Sequence, residues 1–148
     1  MKRVVTPLYG PRGIRVRIRG SHVYVGGSDH WMHWLHHVLP GARRREIQAG
    51  HDVAVIAEVH GITAFWGHSI GGCIAQIAAS LTPDASVRTY GTKRAPRGYT
   101  HQGEHYRHRG DFVPWLPPWR PRVACEYVGD YLPIWVAHHP RTYRELLE

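Results

Sequence analysis

The sequence has few cysteines, almost no lysine and no long uninterrupted apolar run. Its two cysteines, Cys73 and Cys125, are too few for a disulfide-built scaffold, although a bond between the two stays open. The first seven residues hold no apolar run long enough for a secretory signal, and polar side chains interrupt the most apolar stretch, residues 62–81. These features argue against a disulfide-rich secreted domain and a membrane span. We therefore expect a soluble chain, cytoplasmic by default.

The composition fits one folded domain of ordinary size. The chain has 148 residues, 43% of them hydrophobic, and contains no internal repeat, linker or low-complexity segment. We therefore predict a single domain over residues 1–148. Basic residues outnumber acidic ones by 19 to 11, and 17 of the 19 are arginine. The resulting net charge of +8 permits an anionic partner but does not name one.

The apolar pattern predicts an α/β domain with a mainly parallel sheet, an N-terminal antiparallel hairpin and flanking helices. Apolar residues and arginines alternate over residues 14–19, and Gly20-Ser21 predicts a tight turn into a returning strand over residues 22–25. Further strands are predicted at residues 62–66, 86–90, 104–108 and 123–128. Helices are predicted from Asp29 to Val38 and at residues 51–60, 70–81 and 142–147, with Arg43–Arg45 in a solvated loop.

The most informative segment joins a predicted strand to a predicted helix. Gly67-His68-Ser69-Ile70-Gly71 matches G-x-S-x-G, the nucleophile elbow, a motif that is meaningful only in this strand–turn–helix context. A serine on such a sharp turn has a strained backbone, and glycine at both flanking positions removes Cβ atoms that would collide. The turn is expected to present the Ser69 hydroxyl at the helix N-terminus, where developing negative charge is stabilised.

A serine nucleophile needs a base that takes its proton and a carboxylate that orients the base. Downstream of Ser69 the sequence offers three aspartates and a terminal pair of histidines, namely Asp84, Asp111, Asp130, His138 and His139. Asp111 is preferred because it follows a predicted strand, where a loop can carry an acid to the same sheet edge as the serine. His138 and His139 are adjacent, so only one of them can face Ser69. His139 stays open as the alternative base.

Several segments follow one another in the order known from one enzyme family. Residues 67–72 are similar to G-H-S-L-G-G, residues 90–95 to F-G-S-P-R-V, residues 111–118 to D-I-V-P-R-L-P-P, and residues 138–143 to H-S-x-x-x-Y. In this respect the chain resembles the class 3 (fungal-type) lipases of the α/β-hydrolase superfamily. The resemblance implies a minimal α/β-hydrolase fold, with Ser69 as nucleophile, Asp111 as triad acid and His138 as base.

The same resemblance implies an activity. Residues 23–28 are similar to the family's strand ending in R-G-T, which implies an oxyanion hole built by Ser28 together with the amide of Ile70. The implied protein is a lipase- or esterase-like serine hydrolase. It would cleave a lipid ester or a short-chain carboxylic ester through an acyl-enzyme, with no cofactor and no metal.

Two other interpretations stay open at the level of sequence. Arginines at positions 15, 17, 19 and 43–45, with Trp115 and Trp119, permit a catalytically weak or inactive hydrolase-like module that binds an anionic surface or nucleic acid. No nucleic-acid motif accompanies them, and the same charge can bring an esterase to anionic lipid. Thirteen histidines, among them His101, His105 and His108, raise the question of a metal site. No cysteine or carboxylate is placed to complete one, and we predict no metal.

Overall fold

The fold is built on one seven-stranded sheet whose strands lie side by side in chain order. The computed structural model describes residues 3–6, 14–27 and 39–143. Within them the strands are β1 (Arg3–Thr6), β2 (Ile14–Arg19), β3 (His22–Val25), β4 (Ala64–His68), β5 (Ser86–Tyr90), β6 (Glu104–Arg107) and β7 (Glu126–Tyr127). The pairs β1–β2 and β2–β3 are antiparallel, and the other four pairs are parallel. This confirms an α/β fold with a mainly parallel sheet and an N-terminal antiparallel hairpin.

Helices connect and flank these strands. The described helices are α1 (Ala42–Val59), α2 (Ile70–Ser80) and the single turn α3 (Ile134–Ala137), with 3-10 turns at Val113–Trp115 and Pro140–Tyr143. Helices α1 and α2 contact each other, and α2 also contacts β3, β4 and β5. No helix within the described ranges has the length and apolarity needed to cross a membrane.

The core lies between the sheet and α2. Alternate side chains of the central strands, including Val23, Val25 and Phe65, are fully buried there. Helix α2 is buried from Ile70 through Ala79, which suits its almost entirely apolar sequence. Gly50 of α1 lets the two helices approach, because a Cβ at this position would lie 2.6 Å from Ile77 Cβ. This packing fixes α2, and therefore the residue that begins it.

One predicted loop is helical. Arg43–Arg45 form the first turn of α1, so the helix predicted at residues 51–60 begins at Ala42 instead. Arginine is a good helix former, and the buried face of the helix continues upstream through Glu46 and Ala49. The prediction of a solvated loop was wrong because Glu46, a buried position of the helix, carries a charged side chain and interrupts the apolar pattern.

The ends of the chain differ from prediction as well. The strand predicted at residues 123–128 is reduced to Glu126–Tyr127, which pair with Tyr106 and Arg107 of β6. The helix predicted at residues 142–147 is, in its described part, the end of a 3-10 turn. The sequence pattern did not predict β1 or α3, and the helix predicted from Asp29 to Val38 lies outside the described residues.

The two cysteines are not bonded to each other. Cys73 is buried in the core and Cys125 is partly exposed, and both are free thiols. Burial raises the pKa of the Cys73 thiol far above its ordinary value, so this thiol stays protonated. The disulfide left open by the sequence is excluded, and Cys73 is a small core residue.

Candidate active site

The site is centred on Ser69, which links β4 to α2. Ser69 has φ 57° and ψ −124°, a strained backbone conformation for a residue with a side chain. A Cβ at Gly67 would lie 2.7 Å from the Cα of Gly72, and one at Gly71 would lie 2.7 Å from the carbonyl carbon of Gly26. The two glycines of the motif are therefore required sterically, as the sequence predicts. One lets the turn close on itself and the other lets α2 begin against the end of β3.

Three side chains that are distant in the sequence form one chain of hydrogen bonds. Ser69 Oγ lies 2.7 Å from His138 Nε2. His138 Nδ1 lies 2.9 Å from Asp111 Oδ1 and 3.0 Å from Asp111 Oδ2. The structure thus brings together the serine, histidine and aspartate that the sequence predicts, at distances suited to proton transfer.

Burial and hydrogen bonding fix the protonation pattern of this chain. The Asp111 side chain is fully buried, whereas 24% of the His138 side chain is exposed. The carboxylate only accepts hydrogen bonds, so Nδ1 of the imidazole carries a proton and donates a hydrogen bond to Asp111. His138 Nε2 is then the free acceptor for the Ser69 hydroxyl. This is the tautomer that a general base needs.

Asp111 is held from several sides. Its Oδ1 accepts a hydrogen bond from Val113 N at 3.0 Å, and its Oδ2 accepts one from the Tyr143 hydroxyl at 2.6 Å. Gly91 (φ 53°) passes beside it, and a Cβ there would collide with Asp111 Oδ2 and lie 3.2 Å from His138 Nδ1. The carboxylate is therefore oriented by fixed donors, and Gly91 is the residue that leaves room for it.

Tyr143 ties the acid to the end of the described chain. Its hydroxyl accepts a hydrogen bond from His108 N at 3.0 Å while donating to Asp111. His108 Nε2 donates in turn to the carbonyl of Thr142 at 3.1 Å. Burial, followed by the neighbouring Asp111, raises the pKa of Tyr143 far above its ordinary value, so the phenol remains a donor. His108 thus helps to hold the loop that carries Asp111.

His68 lies directly behind His138. Its Nε2 donates to the backbone carbonyl of His138 at 2.9 Å, and the two rings stack with centroids 5.0 Å apart. Burial, and then the electrostatic effect of the neighbouring His138, lower the pKa of His68 to about 3. His68 is thus a neutral group that positions the segment carrying the candidate base.

His139, the alternative base, points elsewhere. It is exposed, and its Nδ1 accepts a hydrogen bond from Arg141 N at 3.2 Å. Asp84 and Asp130, the other aspartates considered, are exposed and form no part of the hydrogen-bond chain at Ser69. Among the residues that the sequence left open, the structure selects His138 and Asp111.

The predicted oxyanion donors are only partly within the described residues. Ile70 is the first residue of α2, so its amide belongs to the first turn, whose N–H groups have no acceptor within the helix. Gly27, at the end of β3, lies against the nucleophile, because a Cβ there would lie 3.0 Å from Ser69 Cβ. Ser28 lies outside the described residues, and its role stays a prediction.

The histidines considered for a metal bind protein groups instead. His105 Nδ1 lies 2.7 Å from Thr89 Oγ1, and its Nε2 donates to the carbonyl of His101 at 3.1 Å. Within the described part of the chain, no three histidine, cysteine or acidic side chains are grouped as metal ligands. His33, His36 and His37, a second histidine cluster of the sequence, lie outside that part.

A buried ion-pair cluster behind the nucleophile escaped the sequence analysis. Glu46 of α1 is completely buried and forms ion pairs with Lys93 and, at 2.6 Å, with Arg120. The backbone N–H of Lys93 also donates to Ser69 O at 3.2 Å. The cluster therefore anchors the loop after β5 beneath the elbow. No signal in the sequence marks Glu46 as buried, because its partners Lys93 and Arg120 are distant along the chain.

Comparison with known protein families and with curated proteins finds no match for this chain.

Proposed function

We propose that this protein is a serine hydrolase that cleaves carboxylic esters through an acyl-enzyme. The observation that carries the proposal is the hydrogen-bond chain from Ser69 through His138 to Asp111, with the serine on a strained turn at a helix N-terminus. An ion pair with a purely structural role does not require this tautomer of His138 or the strained backbone of Ser69. Nor does it require a fully buried Asp111 beside a partly exposed His138. Together these features are typical of an activated nucleophile.

The reaction follows from the tautomer of His138, in which Nδ1 carries the proton and Nε2 accepts one. His138 Nε2 takes the proton of Ser69 as Oγ bonds to the ester carbonyl carbon, and Asp111 stabilises the imidazolium that forms. The tetrahedral intermediate then collapses, the C–O bond to the alcohol breaks, and His138 returns its proton to the leaving oxygen. Water repeats the sequence on the acyl-enzyme, with His138 as base, and releases the acid and Ser69.

In the transition state, negative charge develops on the carbonyl oxygen, and N–H groups at the start of α2 stabilise it. The Ile70 amide is the first donor of the oxyanion hole in this proposal, and the Ser28 amide is the second. Loss of one such donor typically reduces the rate ~10²–10³-fold. We also propose that the fold is that of the α/β-hydrolases. The resemblance to class 3 lipases supports this, because the motifs that contain Asp111 and His138 supply the two partners of Ser69.

A series of p-nitrophenyl esters of increasing acyl length, assayed with and without micelles, tests the activity and separates a lipase from a short-chain esterase. We expect Ser69→Ala and His138→Ala each to lower kcat at least ~10³-fold. His139→Ala is the matched control, because it removes an adjacent but exposed imidazole and should leave kcat within about twofold. Near-wild-type turnover in folded Ser69→Ala would refute the proposal.

A further inference from the structure

A basic pocket lies beside the turn that carries the candidate acid. It has a volume of about 160 Å³ and is bounded by β6, β7 and the 3-10 turn Val113–Trp115. Its lining includes three arginines, two aromatic rings and a thiol, namely Arg94, Arg107, Arg122, Trp115, Tyr127 and Cys125. Since a water molecule takes ~30 Å³ of the liquid, the pocket has room for a group of about five heavy atoms.

The described residues that line the pocket include three positive charges and no carboxylate. Arg94 is fixed by three backbone carbonyls: its Nε donates to Pro114 and its Nη1 donates to Pro118 and Arg120. Burial, and then the charge of Arg122, lower the pKa of Arg94, as expected where like charges converge without an acid. The charged side chains among these lining residues are therefore all positive.

Like Arg94, Arg107 is a buried cation of the pocket. Only 8% of Arg107 is exposed, and its buried Nε has no hydrogen-bond partner among the residues that the structure describes. Its guanidinium is instead held between two rings, 5.1 Å from the centroid of Trp115 and 4.7 Å from that of Tyr127. Arg120, which is similarly buried at 9% exposed, differs because it forms an ion pair with Glu46. A buried guanidinium without an anion is costly, and an occupant that supplies one would relieve that cost.

We propose that this pocket binds the oxyanion of a phosphate group, either as free phosphate or as a phosphomonoester lipid headgroup. Guanidinium groups match phosphate oxygens in paired hydrogen bonds, and a phosphate offers several strong acceptors and close to two negative charges. Of the lining arginines, Arg122 is exposed and accessible to such a group, whereas Arg107 is buried. The pocket would bind such a group whether or not Ser69 is a nucleophile.

Thermal unfolding of the full chain in increasing inorganic phosphate, with ionic strength held constant by sodium chloride, tests the site. We expect phosphate to raise the Tm of the wild type. Arg107→Gln and Arg122→Gln should weaken the apparent affinity at least tenfold. Arg43→Gln, which removes one exposed arginine from α1, is the matched control for net charge and should keep the wild-type affinity.

Arg122→Gln decides the outcome if Arg107→Gln does not fold, because Arg122 is exposed. No stabilisation of the wild type, or equal stabilisation of wild type, Arg122→Gln and Arg43→Gln, would overturn the proposal. Sedimentation with phosphatidylcholine vesicles, with and without phosphatidic acid, separates the two sources. Binding that needs phosphatidic acid and is lost in Arg122→Gln assigns the lipid headgroup, whereas a response to soluble phosphate alone assigns the free ion.

Discussion

Replacing His68 with glutamine should reduce the loss of free energy of unfolding that accompanies a drop in pH. In the folded chain His68 is 2% exposed, and its pKa is lowered to about 3, whereas the unfolded chain has the ordinary value of 6.5. Between these values the unfolded state binds a proton that the folded state does not. The free energy of unfolding therefore rises with pH in this window and falls as pH drops from 6.5 towards 3.

The size of the effect follows from the two pKa values. At pH 7 both states are mostly neutral at His68, so the residue contributes only a few tenths of a kcal/mol to the pH dependence. At pH 5 the unfolded imidazole is almost fully protonated and the folded one is not. The free energy of unfolding should therefore fall by roughly 2 kcal/mol between pH 7 and pH 5 through this residue alone. That loss is a large fraction of the 5–15 kcal/mol that is typical of a domain.

Urea unfolding at pH 7 and pH 5 measures this loss directly. A glutamine at position 68 still offers an N–H to the carbonyl of His138 but does not titrate, so the variant should lose roughly 2 kcal/mol less than the wild type over this interval. His60→Gln removes an exposed imidazole of the same chain. Its free energy of unfolding should fall between pH 7 and pH 5 by as much as that of the wild type. Equal slopes in wild type and His68→Gln would refute the reasoning, whatever the absolute stabilities are.

Two further predictions concern the groups that hold the site. Tyr143→Phe removes the hydrogen-bond donor to Asp111 and leaves the amide of His108 unpaired. We expect kcat on p-nitrophenyl esters to fall about 10- to 100-fold, with KM unchanged and the pH profile of kcat shifted. The exposed Tyr131→Phe is the control and should match the wild type. A rise in KM with kcat unchanged would contradict this role. Glu46→Gln leaves two buried cations without their anion, so urea unfolding should record a loss of about 3–5 kcal/mol, against less than about 0.5 kcal/mol for the exposed Glu58→Gln. A loss no larger than that of the control would show that the cluster is not stabilising.

The elbow was predictable because its physics is local. Gly67 and Gly71 lie within two residues of Ser69, and each excludes a side chain for a reason that can be stated from the turn alone. The partners of Ser69 required more. Local sequence offered three aspartates and two adjacent histidines, and only the order of several motifs favoured Asp111 and His138. The role of Tyr143 was within reach, since it ends the last of those motifs, but spacing says nothing about the atom it touches.

Glu46 was out of reach for a different reason, and the missed start of α1 has the same origin. Its ion-pair partners lie 47 and 74 positions further along the chain, so nothing local identifies the charge as buried. A carboxylate on the inner face of a helix then breaks the apolar period, and the preceding arginines are interpreted as loop. In the fold, Glu46 holds Lys93, whose amide binds the carbonyl of Ser69. The N-terminal part of α1 therefore supports the loop beneath the candidate nucleophile. A sequence pattern that finds helices by their apolar face recovers residues 51–60 of α1 but misses its N-terminal part, where the inner face carries the charged Glu46.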